Sequence, residues 1–213
     1  MVTMTLRKQL TKDMPPQFTM PEEFLTLADW IQEKGYTWGN IGRIAEPGTH
    51  ITDDPALFFG GNNEHNYPEE TPKRLYPVGY TGGEGSTFCL WLDDEGNQHV
   101  VHMGSGSGSV LNAVFPNPIS VLRLLAVGYF TPAFNDGWAD EPNYEEWDST
   151  KEETDEALAP YRQWLQETWG QETPRTGLEA LGLTDADSKI IDGWLDDGPE
   201  GDVFDQWLTE TLD

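Results

Sequence analysis

One stretch of the chain changes from an extended to a helical pattern and constrains the fold more than any other. Thr87–Leu92 is rich in β-branched and aromatic residues. The acidic run at 93–97 has turn chemistry, because its Gly and Asn tolerate positive φ. The extended pattern resumes over His99–Met103. The sequence therefore predicts a β-hairpin here, and Arg74–Tyr80 is a further strand that Pro77 confines to a sheet edge.

A buried helix is predicted soon after the hairpin. Asn117 is a favourable N-cap, Pro118 suits the first helical position, and Gly128 suits the C-terminus. Apolar side chains lie on nearly every side of this helix: Ile119, Val121, Leu122, Leu124 and Leu125. A helix that is apolar almost all round belongs in a core.

Two amphipathic helices flank this unit in sequence. Pro21 and the two acids after it open the first, whose apolar residues have helical spacing. Thr150 and Glu153 form a capping box that opens the second, over Lys151–Trp169, and Pro160 should kink or restart it. Residues 1–20 show little pattern. The tail carries two apolar stripes that indicate short docked helices: Ile190, Ile191, Trp194 and Leu195, then Val203, Phe204, Trp207, Leu208 and Leu212.

Negative charge dominates the composition. The 213 residues include 12 basic and 38 acidic side chains, a net charge of −26, and 37% hydrophobic residues are enough for a core. Residues 141–213 hold 21 of the acids and only 4 of the bases. Such a chain repels nucleic acid and anionic membranes and attracts basic partners. Solubility or a high-salt habitat would explain the same charge.

The residues that usually bind metals or act as nucleophiles are few. Cys89 stands alone in the sequence and lies within a predicted strand, which indicates a buried, inert thiol. His99 and His102 are three apart on a strand, so they should point to opposite faces and not share an ion. The acids of Asp196–Asp205 lack the spacing of an EF-hand loop. We predict no metal and no cofactor.

Motifs of catalysis are also missing from the sequence. The Gly-Ser repeat at 104–109 lacks the Lys-Ser/Thr ending of a phosphate-binding loop, so a flexible connection explains it better. Acidic pairs are so numerous that none stands out as an acid–base couple. We therefore predict no catalytic residue and no enzymatic activity.

The stretch from Gly85 to Tyr129 resembles bacterial members of the SUKH immunity-protein superfamily, through STFCLWLDDEGNQHVVHMGSGSGS and the LRLLAVGY helix. A second match is YRQWLQETWGQETPRTGLEALG at Tyr161–Gly182, and together they cover roughly residues 76–182. The resemblance implies an α+β fold over residues 1–182, with a mixed sheet and helices packed on one side. Residues 183–213 would form an acidic helical extension packed on it.

One segment combines acids and aromatics without a core pattern, as protein interfaces do. We predict that its residues bind a partner: Asp140, Glu141, Tyr144, Glu145, Glu146, Trp147 and Asp148. Its carboxylates could meet Lys and Arg through charge-assisted hydrogen bonds. The competing interpretation is a covering loop whose Trp138 and Trp147 pack inward.

The resemblance and the charge together suggest an immunity protein. It would bind a cognate toxin domain, such as a nuclease with a basic groove, and occlude the active site with an acidic surface. The alternatives are an acidic DNA mimic that inhibits a nucleic-acid-binding protein, and a carboxylate-based hydrolase. The N-terminus has no apolar signal-peptide core and cysteine is scarce, so we expect a cytoplasmic protein that binds neither nucleic acid nor membrane.

Overall fold

The computed structural model describes residues 5–34, 71–81, 86–104, 113–129, 138–145, 150–183 and 203–212. Its helices are α1 Leu6–Thr11, α2 Glu22–Lys34, α3 Thr71–Arg74, α4 Pro118–Val127, α5 Lys151–Trp169, α6 Gly177–Leu181 and α7 Val203–Leu212. Its strands are β1 Leu75–Tyr80, β2 Thr87–Leu92, β3 Gln98–Met103 and β4 Ala113–Phe115. The fold is α+β, as predicted. The first apolar stripe of the tail, at 190–195, falls outside the described residues.

The four strands form one sheet in the order β1-β2-β3-β4. The predicted hairpin is confirmed: β2 and β3 pair antiparallel, with Leu90 opposite Val100. β1 is an edge strand, and its register shifts between Pro77 and Gly79, which fits a proline that cannot donate to the ladder. Every described strand pair is antiparallel, so the expected mixed sheet is replaced by an antiparallel one.

One face of the sheet carries the main core. Phe88, Leu90 and Val100 point to this face and pack with helices α1, α2, α4, α5 and α6. α4 is the central helix of this layer, and Leu122 is fully buried within it. Its ends follow the sequence prediction, because the Asn117 side chain accepts a hydrogen bond from the Ser120 N–H and Gly128 takes a left-handed conformation.

The opposite face of the sheet is covered by α7. Residues that alternate with the main-core set point this way, namely Cys89, Trp91 and Val101, and they pack against Phe204 and Leu208. The helices of the main core therefore pack on one side of the sheet, as expected, and a helix of the predicted C-terminal extension packs on the other. The strand period of two explains why: β2 is buried at five of its six positions, so both of its faces need a cover.

α5 is the longest described helix, with 19 residues. The predicted capping box at Thr150 and Glu153 is present, and Gly170 ends the helix in a left-handed conformation. α5 is one continuous element through Pro160, which is exposed, so water can reach the Glu156 carbonyl that the proline deprives of a donor. Within the described ranges, no helix has the length and apolarity needed to cross a membrane.

α1 was not predicted from the sequence. Its Leu6 and Leu10 are one helical turn apart and are both buried in the main core. Arg7 joins α1 to α2 through hydrogen bonds of 2.8 Å to Asp29 and to Glu22. These ion pairs are largely exposed, so the two leucines contribute most of the stability of this contact.

Candidate functional site

The segment predicted to bind a partner is described up to Glu145. Asp140, Glu141 and Glu145 are exposed, and Tyr144 is partly buried. Glu146, Trp147 and Asp148 lie outside the described residues. The acidic half of the prediction is thus on the surface, where it could meet a partner.

Trp138 anchors this segment in the core. Its side chain is 1% exposed and stacks on Phe115, with ring centroids 5.9 Å apart. The same indole meets the ring of His102 edge-on at 5.2 Å. The competing interpretation, in which Trp138 packs inward, is therefore confirmed for this residue. Trp138 has a φ of +58°, a conformation uncommon outside glycine, which turns the chain so that the residues after it run along the surface.

The hydroxyl of Tyr129 fixes the segment at a second point. It donates to the carbonyl oxygen of Asp140 at 2.8 Å and accepts from the buried N–H of Gly177 at 2.7 Å. Gly177 is close enough to Trp138 that an added Cβ would overlap the indole side chain. One phenol therefore links the end of α4, the acidic segment and the start of α6.

Tyr144 lies against the N-terminal half of α5. Burial raises the pKa of its phenol, and the neighbouring charges of Lys151, Asp155 and Arg162 act on it as well. These interactions place the acidic segment beside the first turns of α5. The two elements therefore contribute to one surface.

The basic side chains in this part of α5, Lys151 and Arg162, form hydrogen bonds and ion pairs with other residues of the chain. Arg162 donates from Nε to the Ala126 carbonyl at 2.8 Å and from Nη2 to the Val127 carbonyl at 3.0 Å, which satisfies the C-terminus of α4. Arg162 and Lys151 both pair with Asp155. Burial raises the pKa of Asp155, but the hydrogen bonds from these two cations outweigh it, so the carboxyl has a lowered pKa.

The exposed carboxylates of the acidic segment and of the N-terminal half of α5 form what we call the acidic face: Asp140, Glu141, Glu145, Glu152 and Glu156. None of the five makes an ion pair with any other described residue. Because the nearby Lys151 and Arg162 are engaged by Asp155, the charge of these acids is available to a partner.

The two strand histidines lie on opposite sides of the sheet, as predicted. His99 contacts the indole of Trp91 and hydrogen-bonds Asp93 at 2.9 Å. His102 is fully buried in the main core and hydrogen-bonds Thr81 at 2.8 Å. Over the ranges that the structure covers, no three His, Cys, Asp or Glu side chains are grouped to hold a metal ion.

Cys89 is fully buried between the sheet and α7. Burial raises the pKa of its thiol to about 12, and the Thr87 hydroxyl is its 3.2 Å partner. The predicted burial of Cys89 is confirmed, and we expect a neutral and inaccessible sulfur of this kind to be a poor nucleophile.

A groove of about 400 Å³ lies between α2 and α5. It was not predicted from the sequence. Each helix contributes side chains at i, i+3, i+4 and i+7, and Lys34 at the end of α2 lines the groove as well. The spaced residues are Thr26, Asp29, Trp30 and Glu33 from α2, and Pro160, Gln163, Trp164 and Glu167 from α5. Trp30 and Trp164 meet at a ring distance of 5.3 Å between the helices. The helical spacing was a signal in each helix, but nothing in the sequence indicated that the two stripes face each other.

Comparison of the chain with protein-family models, with curated proteins and with solved structures finds no match in any of the three.

Proposed function

We propose that this chain is an immunity protein of the SUKH type that binds a cognate toxin domain and neutralises it. The toxin would be a nuclease with a basic substrate groove, and the chain would cover that groove with the acidic face. The protein would act by binding alone, as a cytoplasmic partner of the toxin.

The acidic face is the observation that supports this proposal most directly. Its carboxylates are exposed, while the neighbouring cations Lys151 and Arg162 are tied to Asp155 and to the end of α4. A surface that retains its charge in this way attracts a positively charged groove. The carboxylates would take the place of backbone phosphates and accept hydrogen bonds from Lys and Arg.

Anchoring of the acidic segment supports binding by a preformed surface. Trp138 and the Tyr129 hydroxyl hold the segment at two points before any partner arrives. Less conformational freedom is then lost on association, and a preorganised interface binds more tightly for the same contacts. The net charge of −26 would also accelerate encounter with a basic partner.

The test is protection of cells against the toxin encoded beside this gene. We expect co-expression to restore growth, and we expect the purified proteins to form a complex that blocks cleavage of nucleic acid. Changing Glu141, Glu145, Glu152 and Glu156 together to Gln should weaken the complex by about 10-fold or more at an ionic strength of about 0.15 M.

A matched control keeps the number of removed charges equal. Glu95 and Glu210 are exposed on the hairpin turn and on α7, away from the acidic face, and Glu23 and Glu172 complete a set of four Glu→Gln changes. This control should retain protection. Lack of binding to any neighbouring toxin would refute the proposal, and inhibition of an unrelated nucleic-acid-binding protein would favour the DNA-mimic alternative.

A further inference from the structure

The groove between α2 and α5 combines an aromatic floor with acidic edges. Trp164 is partly exposed and stacks on Tyr161 at a ring distance of 5.6 Å, so its indole is held in place from below. Trp30 is nearly buried and supports the same ring from α2. The floor is therefore a fixed aromatic surface that does not need to form on binding.

The carboxylates at the edges of this groove differ in what they already bind. Asp29 is engaged by Arg7 at 2.8 Å. Glu33 has only its neighbour Lys34, at 3.8 Å, and Glu167 accepts a hydrogen bond of 2.8 Å from the Gln163 amide. Glu33 and Glu167 are thus exposed acids on opposite helices: Glu33 has a long ion pair with Lys34, which also lines the groove, and Glu167 has no ion pair with another described residue.

We propose that this groove binds an arginine side chain of a cationic protein partner. The guanidinium would stack on Trp164, and Glu33 and Glu167 would accept its N–H groups. A planar cation gains from the face of an indole, and its several donors can serve carboxylates on two sides. The groove is also large enough for the side chain and part of the backbone that carries it.

Other occupants fit the groove less well. An apolar helix would bury the carboxylates of both edges without partners, which is costly. Nucleic acid and anionic lipid are repelled by a chain of charge −26. A lysine ammonium is a compact and strongly hydrated charge, and it cannot use a flat aromatic surface and two carboxylates as well as a guanidinium can.

The inference rests on the proposed function only in taking the partner to be a basic protein. It is tested without the toxin, by fluorescence polarisation of the full chain with a labelled Gly/Ser hexapeptide that contains two arginines. The same peptide with two lysines is the comparison. We expect the arginine peptide to bind about fivefold more tightly or better at an ionic strength of about 0.15 M.

Substitutions locate the binding to the groove. Glu33→Gln with Glu167→Gln should weaken binding by about 10-fold, whereas the exposed control pair Glu95→Gln with Glu210→Gln should change it less than twofold. Trp164→Leu should weaken the arginine peptide by about fivefold and reduce its advantage over the lysine peptide. Glu33 and Glu167 are exposed, so changing them to Gln should not unfold the protein. This pair therefore tests the groove even if Trp164→Leu lowers stability.

Equal binding of both peptides, equal losses in the groove and control pairs, or no binding would overturn the inference. A toxin that is neutralised while the arginine peptide fails would leave the proposed function standing and exclude the groove. If the groove binds the arginine peptide specifically but the chain binds no toxin, the inference about the groove stands and the proposed function is refuted.

Discussion

Removing a single oxygen from Tyr129 should destabilise the protein and release the acidic segment. In Tyr129→Phe the ring stays in the main core, where Tyr129 is 3% exposed, so packing is preserved. The hydrogen bond that the Gly177 N–H donates at 2.7 Å is lost, and so is the donation to the Asp140 carbonyl at 2.8 Å, which the hydroxyl shares with a longer contact of 3.4 Å to the Trp138 carbonyl.

The cost follows from where each bond lies. The Gly177 bond is buried, and a buried N–H that loses its acceptor costs about 1–3 kcal/mol. The Asp140 bond is only partly buried, so water can replace Tyr129 there and the loss is about 0.5–1.5 kcal/mol. The free energy of unfolding should fall by about 2–4 kcal/mol, and Tm by about 5–10 °C for a chain of this size.

Urea unfolding followed by tryptophan fluorescence measures this loss, and hydrogen exchange at Gly177 should accelerate in parallel. Tyr76→Phe is the matched control, because its hydroxyl makes one partly buried bond of 3.0 Å, to the Leu10 carbonyl. That variant should lose about 0.5–1.5 kcal/mol. If Tyr129→Phe loses no more than Tyr76→Phe, the phenol does not hold the segment.

Three further changes test other parts of the structure. Gly177→Ala should destabilise the protein by about 2 kcal/mol or more, measured by urea unfolding, because its methyl would overlap Trp138. The Asp93 carboxylate accepts hydrogen bonds from His99 and from Asn97, which lower its pKa. The ionised carboxylate should therefore stabilise the fold at pH values above the unfolded-state pKa of about 3.9. This contribution should be lost as the pH falls below that value. The stability advantage over Asp93→Asn should shrink accordingly in acid. Cys89 should resist a thiol reagent at about pH 8 until the protein unfolds, since burial raises its pKa to about 12.

Each of these three predictions can be refuted by a specific result. Gly96 has φ +81° but no atom within 4 Å of an added Cβ, so Gly96→Ala should cost only about 1 kcal/mol from backbone strain, and an equal loss at Gly177 would exclude the overlap. A stability difference for Asp93→Asn that is independent of pH would remove the role of the carboxylate charge. Fast labelling of Cys89 in the native protein would mean that α7 does not cover it.

Local structure was predicted correctly from the sequence wherever a single residue determines where a helix begins or ends. Thr150 and Glu153 cap α5 as predicted, and Asn117 and Gly128 delimit α4, because each acts on the backbone within a turn of itself. α1 was missed since six residues offer a single apolar pair at i and i+4, too little for a periodic signal. The three-residue strand β4 was missed for the same reason.

The candidate sites needed contacts between distant parts of the chain. Exposure of Asp140 and Glu141 was predicted, but the anchoring of their segment depends on Tyr129 meeting Gly177, 48 residues later. The groove depends on Trp30 meeting Trp164, which lies more than a hundred positions further along the sequence. Composition and periodicity describe one element at a time, so they identify the stripes but not which stripes face each other.

The cover that α7 provides for the second sheet face has a consequence for synthesis of the protein. Cys89, Trp91 and Val101 have all left the ribosome well before Phe204 and Leu208 are translated. At about 5–20 residues per second, the nascent sheet stays open on that side for roughly 5–20 s. Its exposed tryptophan and aliphatic side chains are then a binding site for chaperones and a starting point for aggregation, and a ribosome that stalls before codon 203 would release a chain with that surface permanently bare.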